Sequence, residues 1–328
     1  MRGLFTAGVL DVFMEKGISF DGAVGISAGG IFGCNMKSHQ IGRGLRYNQK
    51  YGRDPRYCSF RSLIKTGDLY GADFCYRELP YELDPFDFET FEKDPMEFYV
   101  GATDINTGRT VFHKCKEGKD EDMKWFRASA SMPVVSKPVA CGKYLLLDGG
   151  ITDPIPLRFM EKKGYDRNVV ILTQPAGYIK KKSPEILLVK LMLRDYPAVV
   201  RAMSRRHLKY NAQTKRIARL EEEGKIIVIR PPEDLKISRT ENDPDELQRV
   251  YDIGRRTGAC YADRVKLFLS DSGYKLPKIM KGSQRALTGC EADFAVKNVE
   301  QQKKPFDDRY AESVAKSESE NSVDEMNL

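Results

Sequence analysis

The apolar positions of the first forty residues change period twice. Leu4, Val9, Val12 and Phe13 recur at helical spacing from Gly3 to Lys16, and Gly17 ends the pattern. Phe20 to Ile26 then reads as a short buried strand, and Ser27 to Lys37 as a second helix rich in small residues. Helix, strand, tight turn and helix in so short a span predict a parallel sheet with covering helices. Residues 42 to 95 mix Gly, Pro, Tyr and Arg without a clear period and read as an inserted helical or loop region.

Strands resume at Glu97 to Ala102 and Arg109 to Lys114, joined by Asp104-Ile-Asn-Thr-Gly108, a sequence suited to a hairpin. A short helix from Met123 to Ser131 follows, and strands at Tyr144 to Leu147 and Val169 to Leu172 complete a mixed sheet. Farther on, Ile186 to Leu193 is apolar on almost every side, and a long polar helix runs from Pro197 to about Glu223. Lys225 to Arg230 is a strand stopped by Pro231-Pro232, and Asp245 to Leu269 a further helix. From about Lys297 the chain turns polar and acidic, the composition of a disordered tail.

Charge sharpens this picture. The 328 residues carry 54 basic and 47 acidic side chains, a net +7. Residues 180 to 219 hold twelve bases against Glu185 and Asp195, so nearly the whole surplus of the body lies in one segment. That segment reads either as a contact with anionic lipid or as a solvated helix face. Nucleic acid is not expected, because no binding motif is present and aromatics do not interleave with the bases. Seven scattered cysteines without a CxxC pair suggest neither a zinc site nor a disulfide framework. With no apolar run of the ~18–20 residues a membrane span needs, and no leader of secretory type, the chain is expected in the cytoplasm, with peripheral membrane contact through residues 180–219.

The strongest chemical signal is Gly25-Ile26-Ser27-Ala28-Gly29, a Gly-x-Ser-x-Gly between a strand and a helix. In a nucleophile elbow the turn is so sharp that only very small residues fit beside the serine, whose hydroxyl stands exposed at the helix N-terminus. A plain glycine-rich turn is the competing reading. The only histidines, His39, His113 and His207, fall at a helix end, in a strand and in the arginine-rich helix. Structural or surface roles account for all three. A carboxylate can replace histidine as the base: Tyr144 to Leu147 delivers Asp148-Gly149-Gly150 at a strand's end, where polar residues of a parallel sheet commonly face the ligand crevice. Asp148 can equally close the strand as an Asx turn.

These segments together resemble the patatin-like phospholipases. The elbow, the segment Arg127-Ala-Ser-Ala-Ser-Met-Pro133 and Asp148-Gly149-Gly150 match the family's motifs in order and approximate spacing, with Ser131 where alanine is frequent; Thr103-Asp104 with Thr107-Gly108 resembles its hairpin. The resemblance covers about residues 1 to 165. It implies a three-layer α/β sandwich with a mixed, mostly parallel central sheet; behind it, pattern and composition give a basic, mainly helical region over 166–296 and the tail over 297–328. It further implies a Ser27–Asp148 dyad acting on a lipid or other acyl ester through an acyl-serine, with no metal or organic cofactor. Gly25, Ala28 and Gly29 would form the elbow and oxyanion site, supported by Gly149 and Gly150. The family's Gly-Gly-Gly-x-Arg-Gly loop aligns here only through Arg2 and Gly3; its three glycines and preceding strand are expected upstream of Met1. The alternative is a lipid-surface regulatory protein that keeps the fold with little or no catalysis.

Overall fold

The computed structural model describes residues 1–270 and Leu276; the expected acidic tail, 297–328, and the end of the expected helical region lie outside the described residues. The described residues pack as one compact unit. The chain opens with helix α1 (Gly3–Glu15), strand β1 (Gly22–Ile26) and helix α2 (Ala28–Lys37), close to the bounds expected from periodicity. The irregular stretch that follows is helical: α3 (Arg43–Tyr51), α4 (Phe60–Thr66), a π-helical segment (Phe74–Leu83) that contains Pro80, and α5 (Phe88–Lys93). Then come β2 (Glu97–Asp104), β3 (Arg109–Cys115), α6 (Asp120–Ala130), β4 (Val139–Cys141) and β5 (Tyr144–Asp148). After these, α7 (Leu157–Lys163), β6 (Asn168–Ile171), α8 (Ile186–Met192), α9 (Pro197–Glu222), β7 (Ile226–Ile229) and α10 (Pro244–Leu269) complete the described chain.

The main sheet has five strands, and this corrects the expectation of a mostly parallel one. Only β1 and β2 are parallel; β3 and β5 both run antiparallel to β2, and β4 antiparallel to β5. The cause is local. Short connections such as Asp104–Gly108 and the Gly142 turn can join only antiparallel neighbours, whereas a parallel pair needs a long crossover. Gly142 has φ 53°, a conformation that favours glycine. The strand near residue 170 does not complete this sheet either: β6 pairs in parallel with β7 in a second, two-stranded sheet. The sequence pattern gave no sign of β4, which is three residues long, or of α7.

What ties the late helix to the early one is close backbone packing. A Cβ at Gly8 would lie 2.2 Å from the Tyr251 carbonyl oxygen, and one at Gly254 would lie 2.1 Å from that of Phe5, so both positions require glycine for α1 and α10 to touch. Leu4, Phe5, Val9, Phe13, Leu247, Val250 and Val265 are buried in the same core. Within it Asp11 accepts hydrogen bonds from the Tyr251 hydroxyl (2.6 Å) and the Gly42 N–H (2.9 Å), linking α10 and the start of α3 to α1. At the surface of the same pair, Arg255 forks onto Glu15 at 2.9 and 2.8 Å.

Burial pushes the Asp11 carboxyl up from 3.8 to about 6, against the opposing pull of Tyr251 and Gly42. A carboxyl whose pKa is raised on folding contributes stability below its unfolded pKa and loses it as pH rises through the folded one. Asp11→Asn removes that titration. The variant is expected to gain stability relative to the parent as pH rises from about 4 to 7, by at most about 3 kcal/mol. Chemical denaturation across that range checks it, and a pH-independent difference between the two proteins would contradict it.

Candidate active site

Ser27 sits between β1 and α2 with φ 54° and ψ −125°, a backbone conformation rare outside glycine. The turn forces it. A Cβ at Gly25 would lie 2.4 Å from the Gly30 backbone, so strand and helix approach too closely for any side chain there, while Gly29 faces open space. The Ser27 N–H donates to Ser129 Oγ (2.9 Å), and Ser129 in turn donates to the Gly101 carbonyl (2.7 Å). Ser129 thereby fastens the elbow to α6 and β2. Its residue type was visible in the Ala-Ser-Ala-Ser run, but its role depends on tertiary contacts, one of them to Ser27 more than a hundred residues away.

The sheet register brings Asp148 to the same place. Ile26 at the end of β1 is opposite Gly101, and Asp148 at the end of β5 is opposite the next residue, Ala102. Because β5 is antiparallel to β2, Asp148 reaches the site from the opposite direction to Ser27, not from the carboxyl edge of a parallel sheet. Two glycines make room. A Cβ at Gly101 would strike Ile26 at 2.4 Å, and one at Gly149 would strike the Gly101 carbonyl at 2.2 Å.

Asp148 is almost wholly buried. Its Oδ1 accepts the Gly150 N–H (2.7 Å), its N–H donates to the Ser131 carbonyl (2.8 Å), and its carbonyl accepts from Thr103 Oγ1 (2.9 Å). Thr152 joins Thr103 and Thr110, each at 2.7 Å. The remaining carboxylate oxygen, Oδ2, is buried with no hydrogen-bond partner of full geometry. Burial raises the Asp148 pKa; the nearby Ser27 hydroxyl, the Arg206 guanidinium and the Gly150 N–H pull it down. Arg206, from α9, also donates Nε to the Gly150 carbonyl (2.6 Å). Sequence reading placed Arg206 only within a basic helix and gave no reason to single it out.

Arg2 and Gly3 open α1 beside the elbow: a Cβ at Gly3 would meet the Phe32 ring at 2.5 Å and Ala28 Cβ at 2.9 Å. A cavity of about 1540 Å³ is lined by Arg2, Gly3, Ser27, Ala28, Gly29 and Asp148, and runs along β1 and β6, including Val24, Ile26, Val170 and Leu172. Its mixed polar and apolar wall suits an amphipathic guest. None of the three histidines lines it. His39 pairs with Asp94 (2.7 Å), and His113 pairs with Asp122 (2.5 Å) and stacks on Trp125. His113, Cys115 and Asp122 lie close enough to share a metal ion. Yet Asp122 Oδ2 already accepts the N–H groups of Lys116, Glu117 and Gly118, and burial holds the Cys115 thiol well above its usual range. No helix among the described residues is long and apolar enough to cross a membrane.

Comparison with known proteins matches two segments of the chain and several relatives. Residues 196–270 match a domain of unknown function, DUF6363. The uncharacterised protein YjjU of Escherichia coli K12 is 28% identical over 193 residues, covering 53% of this chain and 50% of that protein. A lysophospholipase nte1 of Aspergillus niger is 26% identical over 194 residues, covering 56% of this chain and 12% of that protein. A lysophospholipase NTE1 of Coccidioides immitis is 24% identical over 288 residues, covering 81% of this chain and 17% of its own. The chain thus spans half the length of one of these relatives and far less of the other two. Residues 1–160 match the patatin-like phospholipases, so this part of the chain is a patatin-like phospholipase domain.

Proposed function

We propose that this chain hydrolyses carboxylic esters of lipid acyl chains, of phospholipase, lysophospholipase or esterase type, on the family's three-layer α/β arrangement. Ser27 is the nucleophile and Asp148 the general base. The observation that carries the reading is a strained, half-buried serine on the cavity wall beside a buried carboxylate whose second oxygen is left to its hydroxyl. The family match and the lysophospholipase names of two relatives support it.

In this reading Ser27 Oγ attacks the acyl carbon while its proton passes to Asp148 Oδ2. The oxyanion is held by the Ala28 N–H at the start of α2, next to Gly29 and to the backbone of Arg2 and Gly3. The intermediate collapses to an acyl-serine, and the departing alkoxide takes the proton from Asp148. Water then loses a proton to Asp148 as it attacks the ester, and Ser27 leaves with that proton. Burial makes Asp148 a stronger base than an exposed aspartate, and Gly149 and Gly150 fix its direction.

Peripheral membrane contact through residues 180–219 belongs to the same proposal. α8 buries Ile186 and Val189 but exposes Leu187 (74%), Leu191 (68%) and Met192 (54%), with Ile179 exposed nearby and Lys181, Lys182 and Lys190 alongside. Apolar side chains ringed by lysines suit an anionic bilayer surface. Lys180 and Glu185, at the start of this segment, line the cavity that holds Ser27.

Ser27→Ala and Asp148→Asn are each expected to lower kcat/KM on a lysophospholipid by at least about 10³-fold, measured as fatty-acid release. Wild-type rates in both variants would reject the dyad. Complete inactivity of the parent with retained vesicle binding would favour the regulatory alternative. Ser27→Gly is expected to abolish turnover yet raise stability by about 1 kcal/mol, because glycine relieves the positive φ; thermal unfolding reads it.

The pH profile follows from Asp148, whose raised pKa puts the acid limb of kcat/KM above the ordinary aspartate value of about 3.9, with activity rising as pH rises through it. Arg206→Gln removes a charge that lowers this pKa, so the limb moves to higher pH; an unchanged limb would count against Asp148 as the base. Leu187→Ser with Leu191→Ser is expected to weaken sedimentation with phosphatidylglycerol vesicles several-fold, and 0.5 M salt to weaken parental binding further. Unchanged binding on both counts would place the membrane contact elsewhere.

A further inference from the structure

Four cations converge on the wall of the cavity that contains Ser27 and Asp148: Arg2, Lys180, Arg206 and Arg239. They come from the start of α1, the loop before α8, the middle of α9 and the loop between β7 and α10. None is paired with a carboxylate within 4 Å among the described residues. Arg206 spends one N–H on the neutral Gly150 carbonyl, and the Lys180 ammonium sits 5.2 Å from the centre of the Tyr210 ring. The lysine is held in place from its backbone, whose N–H and carbonyl both bond to the Asn211 side chain at 2.8 and 3.0 Å. The acids acting on Arg206 are the buried Asp148 and the exposed Glu185, and Glu241 lies near the Arg2 and Arg239 end of the group.

Such a cluster is costly without an anion. Burial and the repulsion of Arg206, Arg2 and Arg239 bring Lys180 down from 10.5 to about 8. Four converging donors match the oxygens of a phosphate group. The same wall offers little to a quaternary ammonium. The Tyr210 face is already taken by Lys180, and the surplus positive charge repels a further cation.

We infer that Arg2, Lys180, Arg206 and Arg239 form a phosphate subsite beside Ser27, which selects acyl esters of net-anionic phosphate-bearing alcohols over both neutral and zwitterionic ones. This rests on the hydrolase reading for its consequence in turnover, but the anion site itself does not. Arg206 acts also as a positioning residue through Gly150, so Lys180 and Arg239 are the informative positions.

The test compares one oleoyl chain on three alcohols, as lysophosphatidate, lysophosphatidylcholine and monoacylglycerol, each at low mole fraction in neutral detergent micelles so that surface charge stays constant. Parental kcat/KM is expected to favour lysophosphatidate by at least about tenfold. The Lys180→Gln, Arg239→Gln double variant is expected to collapse that ratio toward one. Equal or better use of the choline or neutral ester by the parent, or an unchanged ratio in the variant, would overturn the inference. A second arm needs no catalysis: calorimetric binding of dodecyl phosphate and of inorganic phosphate to the Ser27→Ala protein. Dodecyl phosphate should bind at least tenfold tighter than inorganic phosphate and lose that binding in the triple variant. Retained dodecyl phosphate binding without hydrolysis of any ester would refute the hydrolase reading and leave the site standing. No binding, or equal binding of the two phosphates, would refute the lipid-phosphate site itself.

Discussion

The geometry of the site depends on one constraint, the turn from β1 into α2. Gly25 and Gly30 touch through their backbones, and that contact leaves Ser27 no choice but a positive φ. Strain of this kind costs on the order of 1–3 kcal/mol and persists only where the surroundings over-determine it. Here the determinants are identifiable. The Ser27 N–H is anchored to Ser129, Ser129 to Gly101, and Ala28 and Phe32 of α2 pack against Gly3 of α1. Each anchor comes from a different segment, so the strained turn can form only once β2, α6 and α1 are in place around it.

The second element is β2, which lies between the two strands that carry the proposed dyad. Its Gly101 and Ala102 are opposite Ile26 and Asp148, respectively, and the absence of a side chain at Gly101 lets both strand ends close over it. A parallel arrangement throughout would have placed both residues along one edge. The antiparallel β5 instead turns at Gly149-Gly150 directly beneath the serine, where Gly150 aims Asp148 by a single hydrogen bond and leaves the other oxygen unpartnered.

Much of this was legible in the chain itself. The period changes around Gly17 and Ser27 locate α1, β1 and α2 to within about two residues, because those elements bury one face and their apolar spacing records it. The elbow was readable because Gly25 is required by its contact with Gly30, five residues on, and the Asp-Gly-Gly because it follows a short apolar strand directly. Strand direction was not, since the same alternation serves parallel and antiparallel neighbours, and the pairing of β6 with β7 instead of the main sheet depends on partners some sixty residues apart. Residues 42 to 95 hid their helices because much of the burial there is by Tyr, Phe and paired polar side chains, such as Tyr57 on Asn48, which blur an apolar period. Ser129, Arg206 and the cation cluster owe their positions entirely to tertiary contacts.

The charges around Asp148 give the proposed chemistry a built-in order of events. Burial makes the carboxylate a stronger base, while Arg206 and its neighbours hold it ionised by lowering its pKa. These effects oppose each other: the cations favour the ionised carboxylate but also weaken it as a base. A phosphate group seated among Arg2, Lys180, Arg206 and Arg239 would neutralise much of their field, and closure of the lipid over the cavity would exclude water from the carboxylate. Both changes raise the proton affinity of Asp148, and both arrive with the substrate. The base would then be weakest when no ester is present and strongest when the acyl carbon stands next to Ser27, so that part of the binding energy of the headgroup is expressed as basicity at the reacting atoms. A neutral ester gains the second effect without the first, which makes the headgroup matter to turnover as well as to affinity.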